Sequence, residues 1–256
     1  MIDVAEFQRD GWVVVPGAVG AGELAALDAA VGRLAHWAIS DGPGLHHFEQ
    51  TAAGAVLARS EDFVQHDDVL RTFVRAGVVA ETVAQLFGEP VVLFKEKINY
   101  KHPGGGGFAP HQDSTAYRFV DRHISCMVPL DPATEASGCL HVAPGYRAGL
   151  LSTDDRGRIA EERVAALDWR PVPMEPGDLL FFDSYTPHFS TTNTTTRSRR
   201  AAYLTYNAAS AGDFRHRYYE DKRREFAEAG GDYGGERVRI SIIDDFLGVP
   251  VEQTGH

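Results

Sequence analysis

The sequence predicts one domain that is mainly β, a barrel or jelly roll with flanking helices. Three observations predict this class. From Val91 the chain consists of short β-type runs separated by Gly and Pro, and no helices alternate with these runs as they would in a parallel α/β sheet. The 256 residues, 43% of them hydrophobic, suffice for one large core. We expect a helical N-terminal part over about 1–88, a jelly-roll core over about 91–207 and a C-terminal extension over 208–256.

Two helices are expected in the N-terminal part. Residues 21–38 place apolar side chains three and four positions apart, which is the spacing of one stripe on an amphipathic helix. A second helix is expected from about 67 to 87, because its apolar residues have the same spacing and Gly88 followed by Pro90 stops a helix.

The core is expected to contain five strands, rich in β-branched and aromatic residues. They are, in order, VVLFKEKINYK, RHISCMVPL, GCLHVAP, GDLLFFDSY and RRAAYLTYN. Between the third and fourth runs lies the polar segment 151–168, and an insertion of this length is either a cover over a site or a surface loop without a gating role. The tail from Asp213 has helix-forming composition and mixed charge, which is typical of a solvated surface helix.

Composition excludes several classes of partner. A net charge of −11 and a pI near 5.4 argue against a surface that binds nucleic acid. The first residues lack the basic start and apolar stretch of a secretory signal, and no apolar stretch is long enough to span a membrane. We therefore expect a cytoplasmic protein that acts on a small molecule. The sequence does not indicate its oligomeric state.

A metal-binding pattern lies in FAPHQDSTAY, residues 108–117. In an extended strand alternate side chains share a face, so His111 and Asp113 point to the same side. His188, in DSYTPHFS, supplies a second imidazole. Two histidines and one carboxylate form the ligand set that leaves positions open on Fe(II), whereas structural zinc takes four ligands that usually include Cys. A His-x-Asp pair alone also occurs by chance in many proteins.

Three arginines follow the last of these ligands. If the Thr-rich segment after His188 is a hairpin turn, the strand RRAAYLTYN returns beside it, and an arginine there can meet a carboxylate with two hydrogen bonds. Arg197 and Arg199 share one face of that strand and Arg200 the other. The spacing alone does not select among the three.

These motifs resemble the phytanoyl-CoA dioxygenase family of Fe(II)- and 2-oxoglutarate-dependent oxygenases. The similar segments cover most of the chain: FQRDGWVVVPG, KINYKHPGGGGFAPHQD, SGCLHVAPGYRAG, EPGDLLFFDSYTPHFSTTN and RSRRAAYLTYN. The resemblance implies a double-stranded β-helix, a cupin-like jelly roll, with the metal inside its mouth. It also implies that His111, Asp113 and His188 are both the catalytic centre and the iron ligands.

The resemblance further assigns the cosubstrate contacts. Arg199 would hold the distal carboxylate of 2-oxoglutarate, with Ser190 as a hydroxyl partner, and Asn99 and Gln112 fall where relatives also contact the cosubstrate. Halogenating relatives replace the carboxylate ligand with a small residue. Because Asp113 is present, the resemblance favours hydroxylation over halogenation.

The activity implied is hydroxylation of a C–H bond, with O2 consumed and succinate and CO2 released. Ascorbate is a further candidate as reductant. The implied substrate is a small polar, anionic metabolite, such as an amino acid, a carboxylic acid or an aminoalkylphosphonate-like compound. Two alternatives remain open from the sequence: a non-catalytic cupin-like protein that binds a metal or small molecule, and a zinc hydrolase that uses the same three ligands.

Three lysines share one face of the strand VVLFKEKINYK with Asn99, which is unusual in an acidic protein. Lys95 and Lys97 would attract an anionic substrate if they point into the barrel. Otherwise Lys95, Lys97 and Lys101 belong to a solvated edge strand and prevent aggregation. Tyr117 is a further candidate for substrate binding, although an aromatic residue near a strand end is more often part of the core.

Overall fold

The structure is a computed structural model that describes residues 2–145, 149–228, 240–241 and 243–251. The helices are α1 Val4–Asp10, α2 Ala21–Ile39, α3 Asp68–Arg75, α4 Gly77–Phe87, α5 Glu161–Val164 and α6 Arg215–Glu228. The strands are β1 Trp12–Val15, β2 Leu45–Thr51, β3 Gly54–Glu61, β4 Val91–Lys101, β5 Phe108–His111, β6 Ile124–Pro129, β7 Leu140–Val142, β8 Arg170–Val172, β9 Leu179–Asp183, β10 His188–Ser190, β11 Arg199–Ala208 and β12 Val249–Val251. None of the helices in this part of the chain is long and apolar enough to cross a membrane.

The strands form two antiparallel sheets. The larger sheet has eight strands in the order β1-β9-β6-β11-β4-β3-β2-β12, and the smaller has four in the order β5-β10-β7-β8. Two strands of the larger sheet, β9 (LLFFD) and β6 (ISCMVP), are buried at every position, and all their residues except Asp183 and Ser125 are apolar. The jelly-roll architecture expected from the strand pattern is confirmed.

Two apolar layers hold the larger sheet in place. On its outer face the helices α2, α3 and α4 bury side chains such as Leu34, Phe73 and Val83 against Ile98 and Leu204 of the sheet. On its inner face a second cluster joins it to the smaller sheet and includes Met127, Leu140, Val142, Leu180 and Phe182. Each such side chain contributes about 1.5–3 kcal/mol on burial, so the sheet is fixed from both sides.

The N-terminal part differs from the expected helical region. It also contributes three strands, β1, β2 and β3, to the larger sheet. Strand β2, LHHFEQT, is polar and only partly buried, so its composition does not resemble that of a core strand. The helix expected over 67–87 is two helices, because the backbone is extended at Ala76 and left-handed at Gly77 (φ 72°). The helix ends at Gly88 in the left-handed conformation, as expected.

The Thr-rich segment after Ser190 is not the hairpin turn that was expected. Strand β10 pairs with β5 and β7 in the smaller sheet, whereas β11 pairs with β4 and β6 in the larger one. The segment therefore crosses between the sheets. Asn193 stabilises the crossing, because its side-chain amide donates to the carbonyls of Lys101 (2.8 Å) and Arg197 (2.7 Å).

The C-terminal helix α6 is not a solvated surface helix. Its residues Arg215, Tyr218, Tyr219 and Lys222 are buried against the larger sheet. Arg215 donates to Glu96 of β4 at 2.6 Å, and Lys222 forms an ion pair with Glu61 of β3. The mixed charge of this helix is therefore partly internal, because acidic partners on the strands neutralise its cations. The expected extension over 208–256 continues beyond the described residues.

Candidate metal centre

Two neighbouring strands bring the three proposed ligands together. His111 ends β5, His188 begins β10, and the two residues are paired across these antiparallel strands. Gln112 is extended, so Asp113 returns to the same side as His111 before the chain enters a short 3-10 turn. The ligand atoms of His111, Asp113 and His188 all lie within 4.8 Å of one another, and all three residues are buried.

Both imidazoles are held with the same nitrogen free. The Nδ1 atom of His111 lies 2.7 Å from the carbonyl oxygen of Ala109, and that of His188 lies 3.0 Å from the carbonyl oxygen of Thr186. A carbonyl only accepts a hydrogen bond, so Nδ1 of each ring donates its proton. Nε2 then presents its lone pair to the centre, which is the arrangement found in metal-ligating histidines.

Asp113 and His188 are both deprotonated in this centre. Burial alone raises the pKa of Asp113, but Lys95, His188 and Lys97 outweigh it and hold the pKa well below its usual range. Burial, with His111 nearby, lowers the pKa of His188 to about 4. The centre therefore presents the Asp113 carboxylate and a neutral His188 imidazole at neutral pH. Together with His111 they form the set of two histidines and one carboxylate that Fe(II) takes with coordination positions left open.

The ligands border a pocket of about 390 Å³ between the two sheets, called here the inner pocket. Its polar wall is formed by the three ligands and Lys97, Asn99, Ser125, Ser190 and Thr205. Phe108, Leu140, Phe182, Phe189 and Tyr203 complete it. The pocket thus joins a polar wall that carries the ligands to a wall made mostly of aromatic rings.

Arg199 is the arginine of the three that lies inside. It is 2% exposed, it pairs with Lys101 of β4, and it donates to the carbonyl of Gly138. Arg200 points outward to Asp131 and Asp28, and Arg197 is exposed. Arg199 does not itself line the inner pocket.

Lys101 connects Arg199 to the pocket wall. Its ammonium donates to Ser190 Oγ at 2.9 Å and to the carbonyl of Gly138, which also accepts from Arg199. Within the described residues neither cation pairs with a carboxylate. Two adjacent buried cations without an anion are costly, so this end of the pocket fits the distal carboxylate of a dicarboxylic cosubstrate.

Three more residues, Ser190, Asn99 and Gln112, were expected to contact the cosubstrate, and only two of them line the inner pocket. Ser190 and Asn99 both line the inner pocket, and Asn99 accepts a hydrogen bond from Arg59 Nε at 2.9 Å. Gln112 does not line it. Its amide donates to the carbonyls of Gly149 and Tyr185 and accepts from the amide of Leu151 (2.7 Å). Gln112 thus fastens the start of the 151–168 excursion beside the metal ligands, and its contacts do not support a role in holding the cosubstrate.

A second pocket of about 350 Å³ shares Lys97, His111 and Asp113 with the inner pocket, and we call it the lysine pocket. Lys95 and Lys97 both line it; Lys95 is buried and Lys97 is half-buried. Neither forms a hydrogen bond or ion pair within the described part of the chain. Tyr117 does not line the pocket, but its ring lies 4.4 Å from the Lys95 ammonium. Tyr117 therefore supports Lys95 by a cation–π contact.

Two residues that line the lysine pocket do not follow from the motifs: Arg59 and Asp245. Arg59 is 2% exposed and lies in β3, a strand that the composition did not indicate. Asp245 lines the lysine pocket from the C-terminal part of the chain. Lys101 lines neither pocket, and the sequence signal for it was the face of β4 that it shares with Lys95 and Lys97.

This chain is similar in sequence to a family of known proteins. A sequence model of the phytanoyl-CoA dioxygenase family matches residues 7–201. The methylphosphonate hydroxylase of Gimesia maris is 44% identical over 249 residues, which cover 97% of this chain and 95% of that protein. The 2-aminoethylphosphonate dioxygenase of an uncultured bacterium is 40% identical over 199 residues, 76% of each chain.

A solved structure shows the same fold with cosubstrate bound. EctD from S. alaskensis with 2-oxoglutarate and 5-hydroxyectoine has a TM-score of 0.70 and 25% identity, and the match covers 81% of this chain and 76% of that one. The same protein with bound Fe has a TM-score of 0.71. The resemblance inferred from the motifs is thereby confirmed, and so is the enzyme class, an iron(II)- and 2-oxoglutarate-dependent dioxygenase. The chain belongs to the phytanoyl-CoA dioxygenase family.

Proposed function

We propose that this enzyme hydroxylates the carbon next to phosphorus in a small phosphonate. The observation that supports this proposal is a pair of lysines without an ion-pair partner among the described residues, the buried Lys95 and the half-buried Lys97, beside Asp113 and His111 in the lysine pocket. A phosphonate group can carry two negative charges, as a phosphate ester does. Two ammonium groups match that charge, whereas a single carboxylate would leave one of them uncompensated.

Arg59 adds positive charge to the lysine pocket, but its guanidinium already has partners within the protein. Its guanidinium donates to Asn99 and to the carbonyl of Ile240 at 2.8 Å, and it lies 3.4 Å from Glu61. Glu61 also pairs with Lys222. Lys95 and Lys97 therefore remain the free cations of the lysine pocket, and they would hold the phosphonate while one C–H bond faces the metal centre.

In this proposal the two reactants occupy different pockets, the cosubstrate the inner pocket and the substrate the lysine pocket. When bound to His111, Asp113 and His188, iron(II) supplies, with 2-oxoglutarate and O2, the oxidising power for C–H hydroxylation. Arg199 and Lys101 would orient 2-oxoglutarate from the inner pocket, and the lysines would orient the substrate from the other side. The apolar rings of Phe182 and Phe189 line the inner pocket and restrict water there.

Two of the relatives act, by their names, on phosphonates, and this supports the choice over an amino acid or another carboxylic acid. The buried cations Arg199 and Lys101 have no function in a zinc hydrolase with the same ligands. The cytoplasmic location expected from the sequence stays a proposal, and so does the role of residues 151–168 as a cover.

A substrate panel tests the proposal. Purified enzyme with Fe(II), 2-oxoglutarate and ascorbate is offered methylphosphonate, 2-aminoethylphosphonate, L-proline and short carboxylic acids, and succinate is measured together with product mass. We expect phosphonate-dependent succinate release and a product heavier by one oxygen atom. Lys97→Met should lower kcat/KM for the phosphonates at least tenfold, while exposed Arg197→Met leaves it unchanged. Turnover of a carboxylic acid but of no phosphonate would refute the proposal.

A further inference from the structure

The C-terminal residues 245–247 lie beside strand β5 and bring Asp245 to the metal centre. The amide of Ala109 donates to the carbonyl of Asp245 at 2.7 Å, and the amide of Leu247 donates to the carbonyl of Gly107 at 2.9 Å. The Phe246 ring packs on Phe108 with 5.2 Å between the ring centroids. Backbone hydrogen bonds on both sides of Asp245 thus fix the position of its side chain.

The Asp245 carboxylate is buried next to the ligands without being one of them. It is 3% exposed, and its Oδ2 lies 3.4 Å from Nε2 of His111. The cluster of mutually close ligand atoms contains His111, Asp113 and His188 but not Asp245. The other oxygen, Oδ1, has no hydrogen-bond partner among the described residues. A buried carboxylate oxygen without a donor is costly, so a donor from outside the chain would satisfy it.

The lysine pocket is therefore dipolar. Asp245 lines it together with Lys95 and Lys97, yet neither lysine lies within ion-pair distance of Asp245 in the described structure. The pocket thus has two free ammonium groups and one free carboxylate at separate positions. A ligand with an anionic group alone would satisfy the lysines and leave the carboxylate without a partner.

We propose that Asp245 binds the ammonium group of the substrate and thereby selects an aminoalkylphosphonate over an alkylphosphonate. This inference rests on the proposed function and makes it more specific. The phosphonate contacts Lys95 and Lys97, and the ammonium at the other end of a short alkyl chain donates to Asp245 Oδ1. Asp245 therefore determines which phosphonate binds, and it is not one of the residues that hold iron or 2-oxoglutarate.

Two ligands with equal numbers of heavy atoms test the inference. In 2-aminoethylphosphonate an ammonium occupies the place of the terminal methyl group of propylphosphonate. We expect wild-type enzyme to prefer the ammonium compound at least tenfold, both in kcat/KM and in Kd measured by calorimetry without O2. Asp245→Asn should reduce that ratio to less than threefold. The control Asp244→Asn changes an exposed neighbour that pairs with Arg156, and it should keep the wild-type ratio.

The outcomes separate this inference from the proposed function. If wild-type enzyme binds and oxidises both phosphonates equally well, Asp245 has no role in selection while the phosphonate proposal stands. The same conclusion follows if Asp245→Asn retains the full ratio. If neither phosphonate binds or is oxidised, the proposed function itself fails. If the Asp245→Asn variant does not fold, the preference of the wild-type enzyme for 2-aminoethylphosphonate over propylphosphonate still tests the inference.

Discussion

Four cations of this acidic protein have no carboxylate partner among its described residues: the buried Lys95, Lys101 and Arg199, and the half-buried Lys97. A buried charge that lacks a partner costs several kcal/mol, so these positions must serve something other than stability. Lys101 contacts Ser190 of the inner pocket and shares the Gly138 carbonyl with Arg199, whereas Lys95 lines the lysine pocket and Lys97 lines both pockets. At the scale of the residue, we assign Arg199 and Lys101 to the cosubstrate and Lys95 and Lys97 to the substrate.

Arg199→Ala should weaken the binding of 2-oxoglutarate about 10- to 100-fold, because a charge-assisted contact contributes about 1.5–3 kcal/mol. Lys101→Met should have a smaller effect in the same direction, since Lys101 acts partly through Ser190. Iron affinity should change little in either variant. Titration with 2-oxoglutarate under anaerobic conditions measures the effect, and the exposed Arg197→Ala serves as the control. Equal affinity in wild type and Arg199→Ala would remove this assignment.

Lys97 should make phosphonate binding sensitive to pH. Burial, and then Arg59 and Lys95, lower its pKa to about 7. The protonated form binds the anion, so affinity is greatest when Lys97 is charged and falls as the pH rises above about 7. Lys97→Arg keeps its charge throughout, so its Kd should depend less on pH. The ionisation of the phosphonate itself changes with pH in the same way for wild type and for Lys97→Arg. The ratio of the two Kd values, measured between pH 6.5 and 9, therefore reports only the titration of Lys97. A constant ratio would contradict the assignment.

At the scale of the element, strand β4 determines both pockets. Its bounds, and the common face of Lys95, Lys97, Asn99 and Lys101, followed from alternation in the sequence. The sequence left open whether that face points inward, and the structure turns it towards the pockets. The alternation is interrupted at Phe94, where the register with β11 shifts between Thr205 and Tyr206. Leu93 consequently packs in the outer core rather than beside the lysines. A bulge of this kind depends on the partner strand, so the composition of β4 does not reveal it.

Helix α6 is fixed to β4 by a buried ion pair, and Arg215→Ala should destabilise the fold. Glu96 is fully buried and accepts from Arg215 and from the amides of Phe63 and Val64. Removal of one partner of a buried pair costs about 3–5 kcal/mol, because the other charge remains.

Urea unfolding measures the loss. The exposed Arg224→Ala should change stability by less than about 0.5 kcal/mol, and Glu96→Gln in the Arg215→Ala background should recover part of the loss. No recovery on neutralising Glu96 would show that its charge is not the cause.

At the scale of the whole molecule, the jelly roll and the candidate metal ligands followed from local patterns, whereas Arg59 and Asp245 did not. His111 and Asp113 lie two positions apart in the chain, and in an extended strand this spacing places them on one face. Arg59 and Asp245 reach the same pocket from β3 and from the C-terminal residues, so only the assembled sheets bring them together. Composition assigns charged residues to the surface, and it therefore misses those that are buried to meet a ligand.

Ligands should stabilise the whole fold, because they neutralise its buried cations. At 100 times its Kd a ligand adds about 2.7 kcal/mol to the free energy of unfolding. For a protein of this size that corresponds to a rise in Tm of about 5–10 °C. Thermal scans with Fe(II) and 2-oxoglutarate, and then with a phosphonate added, should show two successive rises. Arg199→Ala should lose the first at the same concentration, and a wild-type protein with neither rise would contradict this expectation.

The central claim is that His111, Asp113 and His188 hold one iron ion at the junction of the two pockets. Anomalous X-ray diffraction at the iron edge, from crystals grown with Fe(II) in the absence of O2, tests it most directly. The expected result is one peak, roughly 2.0–2.2 Å from Nε2 of both histidines and from a carboxylate oxygen of Asp113, as for other divalent first-row metals. An iron peak elsewhere, or an imidazole turned away from the peak, would contradict the account.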